Sequence, residues 1–210
     1  MIDLRQFRLK NINDPPYRHL KLLLFWVVYS VWFLLAERVI PMEYHLVGCP
    51  WDSRIPFCEW FLIPYVLWYG FVAGPVLYLA VADAAEFRRL MYYIMATYGT
   101  VMVIYALYPT CQNLRPEVLP RDNLLCSLVA FLYRIDTPTN VCPSLHVVGS
   151  VTSAVALSRI PALRRFRWLV WLTAAFISIS TIFIKQHSLV DVTAALILCA
   201  VVYPLVYRRK

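Results

Sequence analysis

The sequence has little charge and little glycine. Charged residues make up 15% of its 210 residues, against about 25% in ordinary soluble domains. Its 5 glycines exclude collagen-like chains and glycine-rich linkers. Apolar residues supply 61% of the chain, which is too much for a disordered chain or an ordinary soluble globule. The composition therefore favours an integral membrane protein, and we expect the net charge of +8 to flank membrane spans and not to bind nucleic acid.

Six apolar stretches are long enough, or nearly long enough, to cross a bilayer as helices. They are Leu22–Ile40, Trp60–Ala82, Met91–Tyr108, Pro143–Leu157, Trp168–Ile184 and Leu189–Tyr207. The fourth is the weakest, because Ser150, Thr152 and Ser153 interrupt it. A further apolar run, Leu124–Tyr133, is too short to cross. The sequence thus predicts an all-α polytopic membrane protein, a bundle of six transmembrane helices.

These spans leave no room for a separate soluble domain. We predict a cytoplasmic N-terminal segment (1–21), one membrane domain (22–207) and a short cytoplasmic tail (208–210), and the oligomeric state is left open. The first apolar run starts late and no small-residue cleavage site follows it, so we expect no removable signal peptide. The absence of an inverted pair of broken spans weakens a transporter interpretation.

The distribution of lysine and arginine predicts the orientation in the membrane. With six spans, both termini and two loops share one side, which holds 14 of the 20 basic residues and should be cytoplasmic. The loops at 41–59, 109–142 and 185–188 then face the exterior, the periplasm or a lumen. Five of the six cysteines fall on that outer side, where either disulfides or free thiols are expected.

Two histidines stand where an apolar span begins. His187 and Asp191 are four residues apart, so a helix would place them on one face with the carboxylate able to orient the imidazole. Ionisable groups at this depth are functional candidates, although a structural hydrogen bond explains the pair equally well. The motif Pro143-Ser144-Leu145-His146 opens the fourth span, where either an anion-binding helix start or an ordinary serine cap is expected.

Several cations lie on the same outer side. They are Arg115, Arg121, Arg134 and Lys185. Each one alone is typical of a solvated or interfacial charge. Together with a helix start, they suit a phosphate. A histidine oriented by an aspartate suits a nucleophile, and a second histidine suits a general acid.

Three segments together resemble the motifs of the type 2 phosphatidic acid phosphatase (PAP2) superfamily. The family pattern is KxxxxxxRP, PSGH and SRxxxxxHxxxD; here it reads YPTCQNLRP (108–116), PSLH (143–146) and STIFIKQHSLVD (180–191). Order and spacing agree, and the six-span core of the family would cover nearly the whole chain. Tyr108 replaces the lysine of the first motif, Leu145 the glycine of the second and Thr181 the arginine of the third. The variants of the second and third motifs are similar to the inositol phosphorylceramide synthase branch.

The resemblance implies a metal-independent lipid phosphatase that needs no cofactor and acts at the extracytoplasmic face. His187 would be the nucleophile that forms a phospho-histidine, Asp191 would orient it, and His146 would be the general acid and base. Arg115 and Ser144 would hold the phosphate oxygens. Lys185, Arg121 or Arg134 would replace the two missing cations. The substrate would be a phosphomonoester or pyrophosphate of a membrane lipid.

Other functions stay open at this point. The first alternative is a lipid phosphotransferase that moves a headgroup between lipids, as inositol phosphorylceramide and sphingomyelin synthases do. The second is an inactive lipid-binding or transport protein on the same fold. A serine hydrolase using Ser144 lacks a GxSxG-like elbow. A metalloprotease lacks HExxH, so we predict no metal site.

Overall fold

A computed structural model describes Ile2 and residues 4–38 and 43–208. Residues 39–42 lie outside the described residues, and with them the predicted end of the first span at Ile40 and the start of the loop at 41–59. The same holds for Met1 and residue 3 of the predicted N-terminal segment, and for residues 209 and 210 of the predicted tail.

Within these residues the chain forms seven α-helices and one pair of very short strands. The helices are α1 (Leu24–Arg38), α2 (Leu62–Ala82), α3 (Ala84–Leu107), α4 (Leu124–Ile135), α5 (Leu145–Arg159), α6 (Arg167–Phe183) and α7 (Leu189–Tyr207). Strand β1 (His45–Leu46) pairs in parallel with β2 (Thr110–Cys111). This pair, which the sequence did not predict, ties the loop before α2 to the loop after α3.

Five helical segments of the described chain are long and apolar enough to span a membrane. They are Arg18–Glu37, Glu59–Ala82, Ala84–Leu107, Pro161–Phe183 and Leu189–Tyr207. This finding confirms the prediction of an all-α membrane fold. α4 matches the short apolar run that was predicted not to cross. The fourth predicted span corresponds to α5, which has only 15 residues, so a count of six spans stays a prediction.

α5 is the central helix of the bundle. It packs against α2, α3, α6 and α7, and most of its side chains are buried. A helix that is surrounded by protein needs no apolar lipid-facing surface, so small and polar residues are tolerated. The Ser150 hydroxyl donates to the carbonyl of His146 (2.7 Å), and the Thr152 hydroxyl donates to the carbonyl of Gly149 (3.1 Å). This central position explains why α5 has the weakest apolar pattern of the predicted spans.

Side-chain caps fix the starts of the helices that carry the site. Ser144 is the N-cap of α5 and accepts a hydrogen bond from the backbone N–H of Val147. Ser188 caps α7, and Asp191 accepts from the backbone N–H of Ser188 (2.9 Å), which completes a capping box. Each cap holds a motif histidine close to a helix N-terminus. All six cysteines are among the described residues and are free, so this part of the chain contains no disulfide.

Candidate active site

A cavity of about 340 Å³ lies where α1, α2, α3, α5 and the turn before α7 meet. Its polar lining includes both motif histidines, together with Asp136, Asn140 and Gln186. Its aromatic lining consists of Tyr29, Phe33, Trp68, Tyr69 and Tyr105. This is the size of a pocket that takes a small ligand or the headgroup of a larger one.

His187 is oriented by a carboxylate, as its spacing predicts. Its Nδ1 atom lies 3.2 Å from Oδ2 of Asp191, which is fully buried. The same oxygen accepts a hydrogen bond from the backbone N–H of Ser188. The capping box therefore holds the carboxylate in place, and the carboxylate in turn orients the imidazole. With Nδ1 held in this way, Nε2 is the nitrogen that can react.

The turn between α6 and α7 aims His187 at the cavity. The backbone N–H groups of Gln186 and His187 both donate to the carbonyl of Thr181 (2.9 and 3.1 Å), and this ends α6. Lys185 adopts a left-handed backbone conformation (φ 57°), which reverses the chain. The turn therefore uses the backbone of Thr181, the residue that stands in place of the arginine of the third motif.

His146 lies between two aromatic rings. The ring of Tyr65 stacks on it at a centroid distance of 4.2 Å, and the ring of Trp68 lies at 4.3 Å. The centroid of the His187 ring is 6.1 Å from that of His146. The Nε2 atom of His146 is buried and finds no hydrogen-bond partner among the described residues. Such an unsatisfied buried nitrogen is costly in a resting protein and suits a site that is completed by a ligand.

Arg115 reaches the site through Gln186. Its guanidinium donates to the carbonyls of Tyr133 (3.0 Å) and Asp136 (2.7 Å) and to Oε1 of Gln186. It also stacks on the ring of Tyr133, with 4.5 Å between its central carbon and the ring centroid. Burial lowers the pKa of Arg115, but an arginine keeps its charge in proteins. Arg115 itself does not line the cavity.

Asp136 brings a negative charge to the same wall. Its Oδ2 atom accepts hydrogen bonds from the Tyr65 hydroxyl (3.0 Å) and from Nε2 of Gln186 (3.2 Å). Burial raises the pKa of Asp136, and the Tyr65 hydrogen bond and the nearby His187 and Arg115 offset this effect only in part. None of the three sequence motifs contains Asp136. The sequence marks it only as an acidic residue between the short apolar run Leu124–Tyr133 and the PSLH motif.

The other four predicted phosphate ligands do not line the cavity either. Lys185 turns away and donates to the carbonyls of Asp52 (2.9 Å) and Ile55. Arg121 pairs with Glu59, and Arg134 is exposed and lies over the ring of Phe131. Ser144 is fully buried as the cap of α5. Of the predicted site residues, the structure brings His146, His187 and Asp191 together, with Arg115 behind them.

Tyr108 and Thr181, which replace two cations of the family pattern, do not line the cavity either. Tyr108 is 53% exposed and stacks on His45 at 4.1 Å. Thr181 is fully buried and its hydroxyl donates to the carbonyl of Ser178 (2.8 Å). Among the residues that the structure describes, no lysine or arginine lines the cavity. The described chain also holds no group of three or more histidine, cysteine, aspartate or glutamate side chains that could bind a metal ion.

Comparison with known families matches residues 89–210 to the family described as the PAP2 superfamily. The matched range covers more than half of the chain and contains all three motifs. The comparison with curated proteins found no match, and neither did the comparison with solved structures. The likeness to the inositol phosphorylceramide synthase branch stays a prediction.

Proposed function

Because this chain belongs to the PAP2 superfamily, we propose that it is an integral membrane lipid phosphatase with His187 as its nucleophile. The substrate is a phosphomonoester or pyrophosphate of a membrane lipid. The observation that carries the proposal is the contact of His187 with Asp191 beside His146, on one cavity of about 340 Å³. Members of this superfamily are generally phosphatases or phosphotransferases.

The proposed reaction has two displacement steps. In the first, Nε2 of His187 attacks phosphorus, the bond from phosphorus to the leaving oxygen breaks, and protonated His146 gives its proton to that oxygen. In the second, His146 takes a proton from water, the water oxygen attacks phosphorus, and the bond from phosphorus to His187 breaks. The products are an inorganic phosphate and a lipid with a free hydroxyl or a shorter phosphate chain. Asp191 stabilises the positive charge that His187 gains.

The aromatic stack around His146 keeps the general acid in place. The rings of Tyr65 and Trp68 leave the imidazole little freedom to rotate. The backbone N–H groups in the first turn of α5 that Ser144 does not cap, and the positive end of the helix dipole, are available to the phosphate oxygens. Arg115 acts as a positioning residue, since it holds Gln186 beside His187.

We base the proposed orientation in the membrane on the distribution of lysine and arginine. The arginine-rich ends lie in the cytoplasm with both termini, and the cavity opens to the extracytoplasmic or lumenal face. The lipid tails then stay in the bilayer while the phosphate enters the cavity.

A lipid phosphotransferase is the second candidate. It is favoured by one observation, the lack of lysine and arginine side chains on the described cavity wall. A phosphodiester carries one negative charge and a phosphomonoester carries nearly two, so a cation-poor wall suits the diester better. In this variant a lipid hydroxyl replaces water in the second step.

The test is a turnover assay on the purified protein with EDTA present. The candidate substrates are tested separately. They are phosphatidate, sphingoid phosphate, polyprenyl phosphate, polyprenyl pyrophosphate, and a phosphodiester lipid together with a lipid alcohol. We expect phosphate release or headgroup transfer that is lost in His187→Ala and retained in His45→Ala, a matched control on an exposed histidine outside the cavity. Mass spectrometry after a rapid alkaline quench should find the phosphoryl group on His187. Full activity in His187→Ala would refute the assignment, and no turnover of any lipid would favour a binding protein.

A further inference from the structure

The wall of the cavity is aromatic over much of its area. Five aromatic side chains line it, namely Tyr29, Phe33, Trp68, Tyr69 and Tyr105. The rings of Tyr29 and Phe33 stack at a centroid distance of 5.9 Å, and Trp68 meets Tyr69 edge-on at 5.1 Å. Aromatic faces attract cations, and quaternary ammonium groups in particular bind in cavities lined by several rings.

The charges around the cavity also favour a cationic ligand. Three carboxylates belong to it: Asp136 lines the wall, Asp191 holds His187, and Glu37 accepts hydrogen bonds from the lining residues Thr139 (2.9 Å) and Asn140 (2.7 Å). The described wall and its hydrogen-bonded supports contain one fixed cation, Arg115. Apart from the histidines, three carboxylates therefore face one guanidinium. Apart from the histidines, the cavity thus offers a phosphate dianion more negative than positive charge.

The two features coincide in space. Asp136, Tyr29 and Tyr69 line the same cavity as His187. The Oδ2 atom of Asp136 also accepts a hydrogen bond from Nε2 of Gln186 (3.2 Å), the residue that precedes His187. The aromatic and acidic part of the wall therefore adjoins the nucleophile. A single lipid headgroup could therefore place its phosphate at His187 and a cationic group against this part of the wall.

From this arrangement we infer that the substrate carries its own ammonium group close to the phosphate, so that it enters the cavity as a zwitterionic lipid. The inference rests on the proposed function, in its phosphatase or its phosphotransferase form, and names the substrate class. The phosphate lies between His187 and His146, and the ammonium group lies against Tyr29, Tyr69 and Asp136. The same chemistry can come from a phosphodiester headgroup such as phosphocholine, or from a sphingoid-base phosphate with its free amine.

Burial of Asp136 supports this assignment. Desolvation raises the pKa of this carboxyl group, which means that the resting cavity does not fully stabilise its negative charge. A bound ammonium ion would supply the missing opposite charge. It would also offset the negative charge of Glu37, which faces three hydrogen-bond donors but pairs with no described lysine or arginine.

The test uses pairs of substrates in which one member carries the ammonium charge and the other has lost it. Phosphatidylcholine is compared with its 3,3-dimethylbutyl ester, in which carbon replaces nitrogen, and sphingoid phosphate is compared with its N-acylated form. The assays run in a non-ionic detergent, because a zwitterionic detergent would itself carry the group under test. We expect kcat/KM to favour the charged member of one pair by about tenfold or more. The pair that shows the preference identifies the source of the ammonium group.

A variant of Asp136 then tests whether this part of the cavity wall causes the preference for the charged substrate. Asp136→Asn retains an oxygen acceptor for Tyr65 and Gln186 but removes the charge, so the ratio between charged and neutral substrates should fall toward one. Asp122→Asn, on a carboxylate outside the cavity, should leave the ratio unchanged. Because the ratio is measured within one protein, a general loss of folded enzyme does not affect it.

The outcomes separate this inference from the proposed function. Turnover that depends on His187 but ignores the ammonium charge would refute the inference and leave the proposed function standing. A charge preference that Asp136→Asn leaves intact would refute the placement of the ammonium group. No turnover of any lipid would refute the proposed function and the inference with it.

Discussion

Asn140 donates a hydrogen bond of 2.7 Å from its side-chain amide to Glu37, which lies 103 residues earlier in the chain. Thr139 donates to the same carboxylate over 2.9 Å, and Thr137 donates to it as well. Glu37 belongs to the last turn of α1, and the three donors precede the PSLH motif. The first helix thus holds the segment that delivers His146 to the cavity.

We predict that Glu37→Ala removes this support. Three donors lose a charged acceptor, and a hydrogen bond to a charged group contributes about 1.5–3 kcal/mol. The free energy of unfolding should therefore fall by about 2 kcal/mol or more, and turnover should fall with it. Thermal unfolding of the detergent-solubilised protein measures the first quantity. Glu117→Ala, on an exposed glutamate of the loop between α3 and α4, is the matched control, and equal melting temperatures for the two variants would contradict the prediction.

Gly149 lies in α5 one turn after His146, and nothing larger fits there. A Cβ atom at this position would approach the Tyr98 hydroxyl to 2.6 Å and Nε1 of Trp68 to 2.8 Å. We predict that Gly149→Ala pushes Trp68 off the His146 ring, lowers stability by about 1–3 kcal/mol as overpacking does, and reduces turnover. Gly99→Ala in α3 meets nothing within 4 Å, so it should retain activity and gain up to about 1 kcal/mol of stability. The outcome that contradicts this account is an unchanged turnover rate in Gly149→Ala.

Arg115 makes three directed hydrogen bonds that a lysine cannot reproduce. Its planar guanidinium joins the carbonyls of Tyr133 and Asp136 to the side chain of Gln186, whereas an ammonium group is a single point of charge. We predict that Arg115→Lys lowers kcat at least tenfold, because Gln186 loses its fixed place beside His187. Arg54→Lys, on an exposed arginine of the loop between α1 and α2, should change kcat by less than about twofold, the range of ordinary surface substitutions. Similar losses in the two variants would count against a positioning role for Arg115.

Asp52 should make stability depend on pH in the acid range. Its carboxylate accepts hydrogen bonds from the backbone N–H groups of Cys49 (2.7 Å) and Leu189 (2.9 Å) and from the Ser188 hydroxyl (2.8 Å). Burial acts to raise the pKa of Asp52, but these hydrogen bonds outweigh it and hold the pKa below its usual value.

A carboxyl group with a lowered pKa in the folded state stabilises the protein above its unfolded pKa of about 3.9, and this stabilisation is lost as the pH falls through the folded pKa. We therefore predict that Asp52→Asn melts at a lower temperature than the unaltered protein at pH 7, and that the difference shrinks below about pH 4. Asp122→Asn, whose carboxylate is exposed, should show no such convergence. Thermal melts at a series of pH values measure this difference in melting temperature. A difference that is constant with pH would exclude this role for Asp52.

Features that depend on neighbours along the chain could be predicted from the sequence. The pair His187 and Asp191 forms as predicted, because a spacing of four on a helix is a local geometric fact. The apolar helices and the short α4 follow from length and hydropathy in the same way. Ser144 marks the start of α5 as an ordinary serine cap, since an N-cap acts within its own first turn.

The lining of the cavity was decided by the tertiary structure alone. Lys185 stands two residues before His187, yet a left-handed turn sends its side chain to the carbonyls of Asp52 and Ile55. Glu37 reaches the site across 103 residues. Charge and ring contacts of this kind depend on which helices become neighbours, and the sequence spacing carries no information about that. Length, hydropathy and local spacing predicted the helical membrane fold and the contact of His187 with Asp191. Only the packing of the helices decided which charges and rings surround them, because a side chain acts on whatever lies within a few ångströms of it in space.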